Sequence, residues 1–381
     1  MRPGLSSVRS IFAPIASFRF NPAQFDDCSK FLETRAESTE RFVITDSQQL
    51  VMGPDGRLVE NGYRFNSLGF TALTTALAVG LNPLFHELSG ETVQMRAVPK
   101  KEFDVAAAVS VYNTALNVRF EAVRERNLLV NNAEKSVDGC LGIDHKFLDN
   151  FRFWQLVCDE IAAKQPHAEF YRAEVVGREL RMYFVNPRSR RNDIFSDSRH
   201  TFAAGWCFSN REDTGKSIRA NSCLFTKFGL AIAPDNKKLN HLGADLEGRT
   251  AILISKAAEQ EIDMDVVAKG LRALAAMSMN FSDDPGSFDA AMHQRVAQLA
   301  RFKISREDAK RIIKNTAAVG SDLNARDVME VYTGEVLRAR NGYDLFCSIL
   351  NSARSAFQTQ RDVLQHAAMQ LILPKKKSAQ K

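Results

Sequence analysis

The segment Thr214-Gly215-Lys216-Ser217 ends in the Gly-Lys-Ser of a phosphate-binding loop, and a run with the alternation of a strand precedes it. Such a loop also needs a glycine five positions before Gly215, where this chain has Asn210. It further needs a helix whose N-terminus faces the phosphate, whereas the residues after Ser217 alternate in polarity as a strand does. The sequence therefore does not predict nucleotide hydrolysis at this segment.

Metal-ligating and nucleophilic residues form no recognisable constellation in the sequence. The seven histidines are isolated, with no H-x-E or H-x-x-x-H on a predicted helix, which argues against a zinc site. The acidic pairs have no lysine at the spacing of a metal-dependent nuclease, and Asp283-Asp284 lies in a Pro/Gly loop where helix capping explains it. No Ser/His/Asp or Cys/His arrangement is evident. We therefore predict no catalytic residue, no metal and no cofactor, and hence a protein that is not an enzyme.

Arginine and aromatic residues between 168 and 230 supply the one positive signal for function. Proteins bind single-stranded nucleic acid with Arg and Lys side chains that follow the phosphates and with aromatic rings on which bases stack. Arg181 and Tyr183 alternate with apolar residues of their strand, so Tyr183 is the ring expected to be available to a base. The residues predicted to bind single-stranded DNA are Arg181, Tyr183, Arg188, Arg190, Arg191, Arg211, Lys216 and Arg219.

A second interpretation of the same stretch is equally compatible with the sequence. Phe202, Trp206 and Phe208 fall on one side at period two and would form a core face, which leaves the arginines on an ordinary solvated face. No helix-turn-helix or other sequence-reading module is evident, so any binding is expected to depend weakly on nucleotide sequence.

Two antiparallel hairpins are predicted to position these residues. Residues 169–185 alternate at period two on both sides of Val176-Gly177, and residues 201–225 do so around a polar loop that ends at Gly215. After Arg249 the apolar period changes from two to 3.6. The predicted fold class is α+β, with an antiparallel β-sheet and packed helices followed by a mainly helical C-terminal region.

Four regions are predicted along the chain. Residues 1–40, which contain three prolines and no sustained period, form an irregular N-terminal arm, and residues 41–249 form an α+β domain with the central antiparallel sheet. Residues 250–373 form a helical region, whose last helix, over 341–373, carries an apolar stripe that offers a surface for a homo-oligomer. Residues 374–381 are a basic tail, either a solvated tail or a non-specific contact to phosphates.

The composition is typical of a soluble globular protein. The 381 residues are 45% hydrophobic and 25% charged, enough for a full core, and the net charge of +6 permits a polyanionic partner without requiring one. The six cysteines include no CxxC pair, which indicates a reducing compartment. No apolar run approaches the ~20 residues of a membrane span, and no signal peptide is evident. We therefore expect a cytoplasmic protein with no membrane partner.

Four runs, at 63–83, 126–150, 202–229 and 341–373, occur in the order found in a known family. In the third run, FAAGWCFSNREDTGKSIRANSCLFTKFG, the Asn-Arg-Glu and the first Gly after it match that family's polar turn with two residues inserted. Thr-Lys-Phe-Gly replaces the Asn-Gly that the family has after its cysteine. The chain thus resembles the phage/plasmid-like proteins of the domain-of-unknown-function family nine-three-two. The resemblance implies a phage, prophage or plasmid gene in a bacterial host, and a role in handling DNA.

Two classes of function follow from these observations. The first is a non-catalytic DNA-binding accessory protein of a phage or plasmid, which binds or anneals single-stranded DNA in replication or recombination. The second is a structural or assembly protein of a phage particle, in which the same sheet and helices are subunit contacts. The dependence of binding on salt discriminates between them, because phosphate binding weakens with salt in proportion to the charges neutralised.

Overall fold

The computed structural model describes residues 12–13, 15, 17–79, 105–195, 200–213, 217–233, 237–277, 341–355 and 358–373. Over these residues the protein has the predicted α+β fold, with antiparallel sheet strands, packed helices and a helical C-terminal part. The basic tail and residues 278–340 of the predicted helical region lie outside the described residues.

Strands and helices are mixed in the first part of the chain, six consecutive strands follow, and the described residues end with four helices. The strands are β1 Ser17–Phe20, β2 Thr39–Val43, β3 Arg64–Phe65, β4 Asn127–Asn131, β5 Ser136–Leu141, β6 Glu169–Val176, β7 Glu179–Val185, β8 Phe202–Arg211, β9 Ile218–Thr226, β10 Gly229–Ile232 and β11 Lys237–Leu239. The helices are α1 Phe25–Glu37, α2 Ser67–Ala76, α3 Val105–Arg119, α4 Asn150–Lys164, α5 Leu246–Ala258, α6 Met264–Ala275, α7 Gly342–Ser355 and α8 Gln358–Ile372.

The larger sheet contains both predicted hairpins. Its order is β1-β6-β7-β8-β9-β10, and β11 pairs with the first half of β9. The β6–β7 and β8–β9 pairs are antiparallel and match the hairpins predicted for 169–185 and 201–225. Gly177 has a φ of 56°, which the tight β6–β7 turn requires and a side chain with a Cβ resists. The hairpin prediction is confirmed.

One face of this sheet, here called the first face, is the core face that the alternation in β8 predicted. Trp206 and Phe208 pack with residues of α1, α4 and α5, whereas Phe202 and Ala204 pack with residues of α6, α7 and α8. The opposite face of the same sheet, which carries Tyr183 and its cross-strand neighbours, is called the second face.

The apolar stripe predicted for residues 341–373 is buried in the same core. Leu345 and Ile349 of α7, with Leu364 and Leu371 of α8, belong to the cluster that contains Phe202. These side chains are therefore not available for self-association, because the sheet already covers them. Formation of a homo-oligomer stays a prediction, but the apolar stripe no longer supports it.

The N-terminal part of the chain differs from the irregular arm predicted for residues 1–40. Ser17–Phe20 forms β1, which pairs antiparallel with β6 and is an edge strand of the larger sheet. Phe25–Glu37 forms α1, whose Cys28 and Leu32 pack in the core under the first face. Residues 17–37 therefore belong to the α+β body. A four-residue strand whose partner lies more than a hundred residues away leaves no period to detect in the sequence.

The smaller sheet has the order β2-β4-β5-β3, in which only the β3–β5 pair is parallel. Residues of α2 and α3 pack with this sheet in a separate core cluster that includes Phe70, Tyr112 and Val137. At its other side β5 approaches the end of β8 closely, since a Cβ on Gly139 would lie 2.9 Å from the carbonyl oxygen of Asp213. The two sheets thus meet backbone to backbone at this point.

Candidate nucleic-acid interface

The segment that ends in Gly-Lys-Ser leads into a strand. Ile218–Thr226 is β9, in the middle of the larger sheet, so no helix N-terminus follows the segment as phosphate binding of that type requires. Lys216, one of the predicted binding residues, lies outside the described residues.

Arg181 and Tyr183 lie on the second face, as their alternation predicted, but they are buried there. Tyr183 has no exposed surface, Arg172 stacks 4.7 Å from its ring centre, and burial raises the pKa of its hydroxyl well above the ordinary value. Arg181 donates to Glu179 and, with Nη2, to Oδ2 of Asp362 on α8 at 2.8 Å. The expected availability of Tyr183 to a base is therefore wrong. Other side chains of the second face and α8 cover this position.

Two more of the predicted arginines have carboxylate partners. Arg211 is largely buried, donates to Asp213 at 2.6 Å and lies 3.7 Å from a carboxylate oxygen of Glu179. Arg191 donates to Asp193 at 2.7 Å and to Asp265 at 2.8 Å. Asp265 belongs to α6, so Arg191 connects the loop after β7 to the helical part. Neither arginine offers a free guanidinium to a phosphate.

Arg188 and Arg190 are exposed, but apart from their neighbour Arg191 they lie far from the basic members of the set on β8 and β9, Arg211 and Arg219. They follow β7, close to the end of the hairpins at which β8 begins and β9 ends, whereas Arg211 lies at the opposite end. Seven residues of strand separate the two ends by roughly 23 Å. The eight predicted residues therefore do not form one exposed field, and DNA binding by Arg188 and Arg190 stays a prediction.

A different set of charges is aligned across the second face by the strand register. Cross-strand partners from β1, β6, β7, β8, β9 and β11 follow one another in a single line, here called the charged row: Arg19, Glu174, Arg181, Ser209, Arg219 and Lys238. Residues that are paired in register project from the same face at the strand spacing, so the row is roughly 24 Å long. Its two ends are open to solvent, because Lys238 is exposed and the Arg19 side chain is 61% exposed.

The charged row and its neighbours carry an excess of positive charge. Arg361 of α8 donates to Glu174 at 2.9 Å, and Asp362 lies 4.0 Å from the half-exposed Arg219. The carboxylates of Glu174 and Asp362 are thus shared by five arginines of this face: Arg19, Arg172, Arg181, Arg219 and Arg361. Arg181 also contacts the carboxylate of Glu179. Such an excess attracts an anion.

A second line, here called the polar row, runs beside the charged row: Arg172, Tyr183, Cys207 and Asn221. The β6 register shifts between Phe170 and Arg172, which puts Tyr171 on the second face as well. The Tyr171 ring is 42% exposed, packs edge-on against Phe225 at 4.8 Å and has the Arg172 guanidinium 5.5 Å from its centre. Tyr171 is therefore the aromatic ring on this face that a base can reach.

Buried charges also join the two sheets, at a place here called the inter-sheet joint and formed by Arg35, Asp138, Arg178 and Glu212. Arg178, in the β6–β7 turn, is 1% exposed and donates to Asp138 of β5 and to Glu212 after β8. Asp138 also accepts from Asn66 and Ser136, while Arg35 lies 4.0 Å away. Two cations face two anions here, so the joint is balanced in charge.

The polar turn that carries the family resemblance takes part in this joint. Asn210 donates to the carbonyl of Leu148 and to the side chain of Asn150, and Glu212 accepts from the Asn150 backbone. Both Asn210 and Glu212 are buried. Asn210 and Glu212 therefore connect the end of β8 to the start of α4 and to Arg178 of the joint.

Sequence reasoning missed Arg19, Lys238 and Arg361 as members of this face. Arg19 and Lys238 lie in strands of four and three residues, which are too short for a period to be recognised. Arg361 lies on a helix, where an exposed arginine is expected and its proximity to β6 leaves no local signal.

Among the residues that the structure describes, no group of three His, Cys, Asp or Glu side chains is arranged to hold a metal ion. None of the described helices combines the length and the apolar character needed to cross a membrane. No family model, no curated protein and no solved structure matches this chain.

Proposed function

We propose that the protein binds single-stranded DNA through the second face of its larger sheet, as a non-catalytic accessory protein of a phage or plasmid. The observation that carries the proposal is the charged row, which crosses six strands with four cations and one carboxylate beside an exposed tyrosine. A bacterial cytoplasm is the compartment in which such a protein would act.

The charge distribution supports a polyanion as the ligand. Arg19 and Lys238 at the two ends of the row are exposed, and Arg219 between them has only a 4.0 Å contact to a carboxylate that Arg181 already occupies. Exposed guanidinium and ammonium groups at strand spacing suit a chain of phosphates, because each bound phosphate releases a counterion. No base-reading element is needed for this mode of binding.

The exposed tyrosine supports a single strand in preference to a duplex. Tyr171 projects from the same face as the charged row, and its ring is held by Phe225 and Arg172. Unpaired bases stack on such rings at about 1–3 kcal/mol per base, whereas the bases of a duplex are stacked on one another and not available. Tyr171 takes the role that the sequence had suggested for Tyr183.

The test is fluorescence anisotropy with a labelled strand of about 20 nucleotides at about 0.1 M salt. Tyr171→Ala should weaken binding by about 1–3 kcal/mol, and the matched control Tyr171→Phe, which keeps the ring, should not. Arg219→Gln should weaken binding to all sequences alike and reduce the slope of log affinity against log salt by roughly 0.7.

The control for charge is Arg124→Gln, since Arg124 is exposed and, among the described residues, pairs with Glu121, away from the larger sheet. The triple change of Arg188, Arg190 and Arg191 to Gln tests the other basic site separately. If the parent protein binds no single strand, or if only the triple change weakens binding, the second face is not the interface. Absence of any binding would favour the particle-assembly function.

A further inference from the structure

Three arginines converge on one buried carboxylate of the second face. Glu174 is 5% exposed, and its oxygens lie 3.1 Å from Nη2 of Arg19, 3.4 Å from Nε of Arg172 and 2.9 Å from Nη1 of Arg361. The side chains of Arg172 and Arg361 are about four-fifths buried, so water screens their charges only in part. The group therefore carries an uncompensated charge of two at a site with limited access to solvent.

Polar atoms around this group are buried and have no hydrogen-bond partner among the described residues. The donors are Nε of Arg172, Nε of Arg361 and the hydroxyl of Tyr183, and the acceptors are Oε1 of Glu174, Oδ1 of Asn221 and Oε1 of Gln365. Tyr183, Asn221 and Gln365 are each more than nine-tenths buried. Buried polar atoms are almost always hydrogen-bonded, so the three donors, two guanidinium Nε–H groups and a tyrosine hydroxyl, call for an additional acceptor.

These atoms come from two elements that face each other. Arg172, Tyr183 and Asn221 belong to the polar row, and Gln365 lies one turn after Arg361 on the same side of α8. The side chain between Tyr183 and Asn221 is Cys207, and the charges that act on it are those of Arg181, Asp362, Glu174 and Arg172. The unpartnered atoms thus surround the region between α8 and the polar row.

We infer that this region is a binding site for a single phosphate group, held by Arg172 and Arg361 with Arg19 at its entrance and Tyr183 as a further hydrogen-bond donor. A phosphate dianion neutralises the excess charge of two, and its oxygens accept from guanidinium Nε–H groups that lack acceptors. The group is either the terminal phosphate of a strand or a free phosphate. Binding of a strand's terminal phosphate rests on the proposed function, whereas binding of free phosphate does not.

The test begins with inorganic phosphate and the full-length chain. At constant ionic strength, phosphate in place of chloride should raise the melting temperature in a saturable manner, and calorimetric titration should give one site per chain. Arg361→Gln should weaken phosphate binding at least tenfold, whereas the control Arg124→Gln should leave the dissociation constant unchanged. Equal effects of phosphate and chloride would overturn the inference.

Glu174→Gln separates a phosphate site from a purely structural arginine cluster. If the arginines hold a phosphate, removal of the carboxylate should tighten phosphate binding several-fold, because the local positive charge increases. If they serve only to neutralise Glu174, phosphate binding should not tighten, and the inference fails. This variant also decides the question where Arg361→Gln does not fold, since it keeps all three arginines.

Two oligonucleotide arms distinguish the source of the phosphate. A strand with a 5′-phosphate should bind more tightly than the same strand with a 5′-hydroxyl, and Arg361→Gln should remove that difference if the terminal phosphate occupies the site. Equal binding of the two strands, together with saturable binding of inorganic phosphate, assigns the site to a free anion. Failure of the proposed function is recognised separately, as absence of strand binding in a protein that still binds phosphate.

Discussion

The second face and the inter-sheet joint are both built from arginines and carboxylates, but their charges balance differently. At the joint, Arg35 and Arg178 face Asp138 and Glu212, so that cations and anions are equal in number. On the second face, arginines outnumber the carboxylates they contact. Buried nitrogen atoms without partners occur in both regions, among them Nε of Arg35. The charge excess, rather than the unpartnered atoms alone, therefore distinguishes a region that can accept an external anion.

The largest expected effect is the loss of stability when the balance of the joint is broken. Arg178→Met leaves Asp138 and Glu212 buried without their shared cation, which should lower the free energy of unfolding by about 3–5 kcal/mol. Urea denaturation measures this change in the free energy of unfolding. Arg124→Met at the surface should change the free energy by less than ~0.5 kcal/mol. A stable Arg178→Met variant would remove the basis for treating the joint as structural.

A smaller loss of stability is expected at acidic pH, and it should come from a pair of histidines. The rings of His145 and His241 stack at 4.8 Å; burial, with His241 and Arg41 nearby, lowers the pKa of His145 from 6.5 to about 4. The folded protein thus binds fewer protons than the unfolded chain between these pH values. Stability is complete above pH 6.5 and falls as the pH decreases towards 4.

Unfolding experiments at pH 7 and pH 5 check this expectation. His145 should account for a loss of about 1–2 kcal/mol at pH 5, and His145→Gln should show a correspondingly weaker dependence on pH. An unchanged pH dependence in His145→Gln would contradict the assignment to this histidine.

The smallest effect is a gain of affinity on the second face. Asp362 accepts from Arg181 and lies near Arg219, so Asp362→Asn removes a negative charge while keeping an oxygen acceptor. We expect single-strand affinity to rise roughly two- to fivefold at low salt, because the charge excess grows. Anisotropy titrations of the variant and the parent protein measure the change. Weaker binding would mean that Asp362 positions Arg181 for the ligand.

The parts of this molecule that the sequence predicted are those encoded over short distances along the chain. The two hairpins follow from alternation within about 25 residues, and the first face follows from Phe202, Trp206 and Phe208 in a single strand. The helical C-terminal part follows likewise from a local change of period. In each of these cases the residues that carry the sequence pattern are the same residues that form the strand, hairpin or helix.

The candidate site depends on contacts that no local pattern contains. Arg181 and Tyr183 looked solvated because their strand alternates apolar and polar residues, which is typical of a strand with one wet face. Asp362 helps to bury Arg181, and Arg361 neutralises Glu174. Both residues lie more than 180 positions further along the chain than their partners. Long-range ionic contacts such as these determine which polar residues of a strand remain open to solvent.

The pairing of Glu174 with Arg361, 187 residues apart, has a consequence during protein synthesis. The ribosome releases the hairpins of the larger sheet well before α8, and domains fold as their segments emerge. Until residue 361 has left the ribosome, the phosphate site that we infer lacks one of its two principal arginines, and the carboxylate of Glu174 lacks one of its three arginine partners. The hairpins of the larger sheet are therefore synthesised well before the inferred anion site can be complete.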